Sequence, residues 1–186
     1  RYSRHHSLNT VNDINASSLD ERGKKEYAKG AYLAAAKFFA QAGQAYENAN
    51  DPLNAAEMTN NQSVALLQGG KADDALKATE GTEEIFAGAG DLKRQGIAIA
   101  NRAAALEGLK KWQEALAEYD RAASLFEQAG EGDMHSTVRK ASANIHLKFG
   151  HVNSTQMDVY DSLRLVENPT FAQRIMRFLK RSGFIK

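Results

Sequence analysis

The sequence predicts an all-α fold: an α-solenoid of about four antiparallel helix pairs closed by a C-terminal capping helix. Three observations carry that prediction. The chain repeats itself at an interval of forty residues, reading GQAYENAND at 43–51, EEIFAGAGD at 83–91 and ASLFEQAGE at 123–131. Alanine recurs at helical spacing, no run of β-branched residues alternates with polar ones, and only Pro52 and Pro169 interrupt the pattern. Residues that start and stop helices then stand at regular places along the chain.

Taken in order, the first segment, residues 1–16 (RYSRHHSLNTVNDINA), is polar and without helical periodicity, so it is expected to be extended or disordered. A helical repeat domain follows over 17–168, in units of about 17–50, 51–90, 91–132 and 133–168. Ser18 and Glu21 form a capping-box pattern that starts a helix over 18–29. Helices follow over 32–48 and 52–68, the latter entered by Asp51 before a first-turn Pro52. The next is expected over 72–88, with Gly81 inside it where Gln41 and Arg121 stand in the neighbouring units. Interior glycine costs about 1 kcal/mol relative to alanine, so this is expected to be the weakest helix. Helices over 91–108, 112–129, 133–149 and 152–167 complete the units, with Asp91 and Asp133 placed as N-caps. Asn168 and Pro169 open a last helix near 169–182, within the capping segment 169–186.

Positions forty apart preserve residue size where helices would touch. Gly30, Gly70, Lys110 and Gly150 fall at the turn inside each pair, and Tyr32, Ala72, Trp112 and Val152 open the second helix. Then come Ala35, Ala75, Ala115 and Thr155; Phe39, Thr79, Tyr119 and Val159; and Ala42, Thr82, Ala122 and Ser162. The spacing of three, four and three marks one helix face, continued by Tyr46, Phe86, Phe126 and Val166. A close helix crossing needs a small side chain at the contact and a bulky one beside it, so the stripe reads as core.

Gly30, Tyr32, Ala35, Phe39 and Ala42, with Trp112, Ala115, Tyr119 and Ala122, resemble the small–large signature of the tetratricopeptide repeat (TPR). Asn61 and Asn101 stand where that family often carries Asn. The resemblance covers about 16–168. It departs at Thr79 and Thr82, at Thr155, Val159 and Ser162, and in its period of 40 against the family's 34, which is similar to the long-helix members. It implies a concave groove, lined by the first helices of successive pairs, that holds an extended peptide or a partner helix. Carried onto matching positions, it implicates Glu57, Asn60, Asn61, Val64 and Gln68 from the second unit. From the third and fourth it implicates Asn101, Ala104 and Glu107, then Lys140, Asn144 and Lys148. The chaperone-tail subgroup clamps a carboxylate with basic groove residues; Ile97 and Asn101 hold the third-unit basic positions here, so that activity is not expected.

Other classes find less support. Twenty-four Lys and Arg against twenty-three Asp and Glu give no global field that favours nucleic acid or an anionic membrane. No apolar run reaches the roughly 20 residues of a membrane span. There is no cysteine, which removes disulfides and thiolate ligands and leaves the compartment open, with a cytoplasmic placement favoured. Gly69, Gly70 and Lys71 lack the rest of a phosphate-binding loop, His146 and His151 do not share a helix face, and His5 and His6 lie in the N-terminal segment. The expectation is therefore a non-enzymatic protein or peptide binder with no cofactor and no metal. The alternative is an assembly module that pairs with itself or docks in a larger complex. The basic residues Arg174, Arg177, Lys180 and Arg181 around Phe171, Ile175, Phe178 and Leu179 suit a cap on the last unit, or a basic amphipathic helix that docks on a membrane or an acidic partner.

Overall fold

The computed structural model describes residues 2–148, and side chains within 15–147. The helices expected over 152–167 and 169–182, with Gly150, His151 and the fourth-unit stripe, lie outside the described residues. Within them, the regular elements are all α: α1 (Tyr2–Ala28), α2 (Tyr32–Asn48), α3 (Pro52–Gln68), α4 (Ala72–Ala78), α5 (Thr82–Gly88), α6 (Leu92–Gly108), α7 (Trp112–Gln128) and α8 (Gly132–Lys148). Apart from α4 and α5, consecutive helices pack together; α6 also packs on α3 and α4, and α5 on α3.

The turns explain the regular length. Positive φ falls at Gly30 (77°), Asn50 (60°), Gly70 (75°), Gly90 (70°), Lys110 (61°) and Gly130 (74°), one left-handed residue every twenty. At each, the following amide donates to the carbonyl five residues back, from Ala31 to Glu26 and so on to Glu131 and Phe126, at 2.8–3.0 Å. The left-handed residue's own amide donates three residues back, completing the Schellman arrangement that satisfies the last carbonyls of a helix. The chain thus leaves α1, α2, α3, α5, α6 and α7 by the same turn, and helices of 17 residues stand at intervals of twenty or forty. Lys110 holds a conformation that costs a side-chain-bearing residue roughly 1–2 kcal/mol, so Lys110→Gly is expected to raise stability by about 1 kcal/mol in urea titration.

Asp51 and Asp91 cap as expected, their side chains accepting from the amides of Asn54 (3.1 Å) and Arg94 (2.9 Å). The Arg94 amide, and then its guanidinium, hold the Asp91 carboxyl below the usual carboxylate range. Asp133 does not cap: α8 starts at Gly132 and places it in the first turn, where its charge still favours the helix dipole. Ser18 and Glu21 do not start a helix either, because α1 runs through them from Tyr2, and the extended segment expected over 1–16 is helical from that residue. Extending a helix is far easier than nucleating one, and no proline in 2–28 stops it.

The small–large stripe is core. Ala35, Ala75 and Ala115 are each 0% exposed, and Phe39, Tyr119, Ala42 and Ala122 are buried with them. Burial over 71–80 repeats residue for residue over 111–120, so the forty-residue period of the sequence is a period of packing.

The helix expected over 72–88 is broken. It leaves α-geometry after Ala78 and resumes at Thr82, with Gly81 at φ 78°. The Thr79 hydroxyl donates to the Leu76 carbonyl (2.7 Å) and that of Thr82 to the Thr79 carbonyl (2.8 Å). Threonine hydroxyls that take local carbonyls compete with the helical ladder, and glycine supplies the left-handed residue that ends it. Gln41 and Arg121 occupy the same place in α2 and α7, which run through unbroken.

Candidate functional site

The candidate groove residues stand in several settings on α3, α6 and α8. Asn61 and Val64, one turn apart on α3, line a cavity of about 300 Å³ with Lys24 and Tyr27 of α1 and Phe39 of α2. The Tyr27 ring meets Tyr32 edge-on with centroids 5.1 Å apart, which braces the aromatic wall where α1 turns into α2. Lys24 stands at the rim, its ammonium 2.7 Å from Asp20 and 3.1 Å from Glu21. The Asp20 carboxylate holds its pKa above the ordinary lysine value. The site offers an apolar interior, an amide and a cation that is half exposed.

Glu57 pairs with Arg94 at 3.4 Å and so bridges α3 to α6. Asn60 is a correction: it is only 4% exposed, and its Oδ1 has no hydrogen-bond partner within the chain. It shares a helix face with Ala56, which packs against Phe86, and with Ser63, whose hydroxyl donates to the Ala75 carbonyl at 2.9 Å. That face turns toward α4 and α5, so Asn60 belongs to the interior rather than to a groove.

On α6, Asn101 and Ala104 are half-buried. The Glu107 carboxylate accepts from the Tyr119 hydroxyl at 3.0 Å, tying α6 to α7. Burial, and then the neighbouring Glu107 charge, push that phenol well above its ordinary pKa, so it stays a donor. Gln68, Lys140 and Asn144 are exposed, and the side chain of Lys148, the last residue of α8, lies outside the described residues.

Two features escaped the sequence. Lys24 and Tyr27 stand on the helix ahead of the units read as the groove; the signal was there, since Tyr27 immediately precedes the first helix turn. The second is a cluster of four charges. Arg102 donates to Glu83 (2.9 Å) and Glu118 (2.8 Å), while Arg121 bonds the same two carboxylates. Its members come from α5, α6 and α7; Glu118 and Arg121 stand three apart on one helix, but nothing in the sequence places Glu83 and Arg102 beside them. Among the described residues, no group of three or more His, Asp or Glu is placed to hold a metal, and no helix is long and apolar enough to cross a membrane.

No protein-family model matches the chain, and no curated protein matches it. Among solved structures 26 chains match. One is the crystal structure of BtubC (BKLC) from P. vanneervenii, similar at a TM-score of 0.60 and 15% identity over 97% of this chain and 85% of that one. At that identity the likeness is one of fold alone.

Proposed function

We propose that the protein is a non-enzymatic scaffold of TPR type, a solenoid that holds an extended peptide or a partner helix in a groove along its first helices. The observation that carries this reading is the cavity between α1, α2 and α3, where Asn61 and Val64 meet Tyr27, Phe39 and Lys24. An amide beside an apolar interior suits an extended chain, because Asn bonds backbone donors and acceptors while the interior takes one side chain. The signature at Ala35, Phe39 and Ala42, repeated at Ala115, Tyr119 and Ala122, supports the family assignment. A free peptide loses conformational entropy on docking, so affinity is expected in about the micromolar range and weaker at high salt.

A peptide ligand selected on the purified protein from a random library provides the test by calorimetry. Asn61→Ala and Val64→Asp are each expected to weaken it about tenfold, which is about 1.4 kcal/mol. Asn101→Ala, and Lys140→Glu with Lys148→Glu for acidic ligands, report whether the groove extends along α6 and α8. If the selected peptide keeps its affinity in all of these variants while each stays folded, the groove reading fails.

One observation favours the assembly reading instead. At 27 residues α1 is longer than the 17-residue helices that follow, and its first turns extend past the helix it pairs with. A helical arm of that kind suits pairing with a second copy or docking in a larger complex. Solution mass of the full chain and of a chain lacking residues 1–12 separates the two: a dimer lost on truncation supports assembly.

A further inference from the structure

Charge is sorted by helix from the second unit onward. The stretch 72–88, which holds α4 and α5, carries with α7 nine carboxylates against two basic side chains, Lys77 and Arg121. Helices α6 and α8 carry six basic side chains against two acids, Glu107 and Asp133. The balanced total of the chain therefore conceals an acidic face on the second helices of the pairs.

A cavity of about 430 Å³ opens on that face, and it shares no lining residue with the cavity between α1, α2 and α3. Helix α4 packs on α6 and α6 on α7, so the opening lies between α4 and α7 with Leu106 of α6 in its floor. The stripe position that holds a ring at Phe39 and Tyr119 holds Thr79 here, which lines the cavity with a short side chain and gives its hydroxyl to the Leu76 carbonyl. Leu76, Leu106 and Ala117 make the interior apolar, while the exposed carboxylates Glu80 and Glu114 stand on either side of it. Arg102 also lines the cavity, but Glu83 and Glu118 take up its guanidinium at 2.9 and 2.8 Å, so it is not offered to an acidic ligand. The other cation, Lys111, is 3.5 Å from Glu114, a loose exposed pair that an incoming cation displaces easily.

We propose that this cavity and its edge form a second docking surface, for a basic segment of a partner protein. The segment seats one large apolar side chain between α4 and α7 and sets flanking Lys or Arg against Glu80 and Glu114. The volume is within the roughly 300–1,000 Å³ of binding pockets, and an apolar interior with a few polar groups at its edge is their usual make-up. An apolar interior alone would take any hydrophobic segment; the carboxylates at the edge and the acidic helices around it select a basic one and turn acidic ones away. The whole face steers the approach, so association falls as salt rises. The surface is independent of the groove along the first helices, and a partner held on it leaves that groove open.

Fluorescence anisotropy of the full chain with three labelled peptides, each of about 14 residues, tests this. The first carries Leu at helical spacing with Lys and Arg elsewhere, the second has Glu in place of every Lys and Arg, and the third has Ser in place of every Leu. At about 0.05 M salt the first is expected to bind in about the 10–100 μM range, the second not to bind, and the third to bind about tenfold more weakly or less. Glu80→Lys with Glu114→Lys is expected to weaken the first peptide about tenfold. Glu21→Lys with Glu47→Lys, an equal change of charge at exposed positions away from the cavity, is expected to weaken it less than about twofold. All four positions are exposed, so the variants keep the core intact. Asn61→Ala, in the other cavity, is expected to leave the affinity unchanged. The proposal is overturned if the first peptide does not bind, if the serine peptide binds as tightly, or if the two charge-reversed pairs weaken binding alike. It is overturned equally if Asn61→Ala weakens binding as much as the change at Glu80 and Glu114, since the peptide then sits in the groove along the first helices.

Discussion

Phe86→Ala is expected to lower the unfolding free energy by about 3–5 kcal/mol, the cost of truncating a fully buried aromatic ring that its surroundings cannot replace. The ring is 0% exposed and lies between Ala56 of α3 and Ala98 of α6, with Leu53 beside it and the Arg94 guanidinium 5.4 Å from its centroid. Both facing residues are alanines, so no larger side chain is at hand to fill the space, and their helices are fixed by packing elsewhere. The ring also holds α5, a helix of 7 residues that is too short to be stable by itself. Domains are stable by about 5–15 kcal/mol in all, so the loss is a large share of the total. Urea titration checks it, with Phe38→Ala as the comparison: that ring is half-buried with Arg22 stacked 4.3 Å from its centroid, and its loss is expected to cost much less. Equal midpoints for the two variants contradict the assigned role of Phe86.

How much of this was legible in the sequence depended on whether a signal was periodic. Residue size at Ala35, Ala75 and Ala115 and turn chemistry at Gly30 and Gly70 recur at fixed intervals, so they locate α2 and α3 to the residue. Lys110 shows the limit of reading identity alone, since the turn geometry persists there without the glycine that advertises it. The break at Gly81 was legible as a weakness but not as an interruption. Thinning of the stripe at Thr79 and Thr82 shows in the sequence, whereas the bonds of their hydroxyls to Leu76 and Thr79 depend on a backbone already bent. Asn60 and Asn61 are adjacent and alike, yet one is interior and the other lines a cavity. The difference is a rotation of about 100° around α3 relative to α4 and α5, which only the packing fixes. The cluster of Glu83, Arg102, Glu118 and Arg121 gave little signal: Glu118 and Arg121 stand at the three-residue spacing of a helix pair, but only tertiary packing brings Glu83 and Arg102 to them.

Gly96→Ala is expected to destabilise the protein by about 1–3 kcal/mol, although alanine is the better helix former by about 1 kcal/mol. A Cβ at position 96 would lie 2.7 Å from Cε1, 3.0 Å from Cδ1 and 3.2 Å from Cζ of Phe126. Three ring atoms along one edge are too close at once, so turning the ring does not relieve the clash. Phe126 is 2% exposed and packed among Ile99, Ala122 and Ala123, so it has nowhere to withdraw. The remaining response is for α6 and α7 to move apart, which loosens the largest cluster in the described residues. Gly88, the last residue of α5, makes the opposite case: a Cβ there meets nothing within 4 Å. Gly88→Ala is expected to add about 0.5–1 kcal/mol by restricting the unfolded chain. Thermal denaturation of the two variants therefore shifts in opposite directions from the parent. Two shifts of the same sign would mean that helix propensity, and not the approach of α6 to the Phe126 ring, governs position 96.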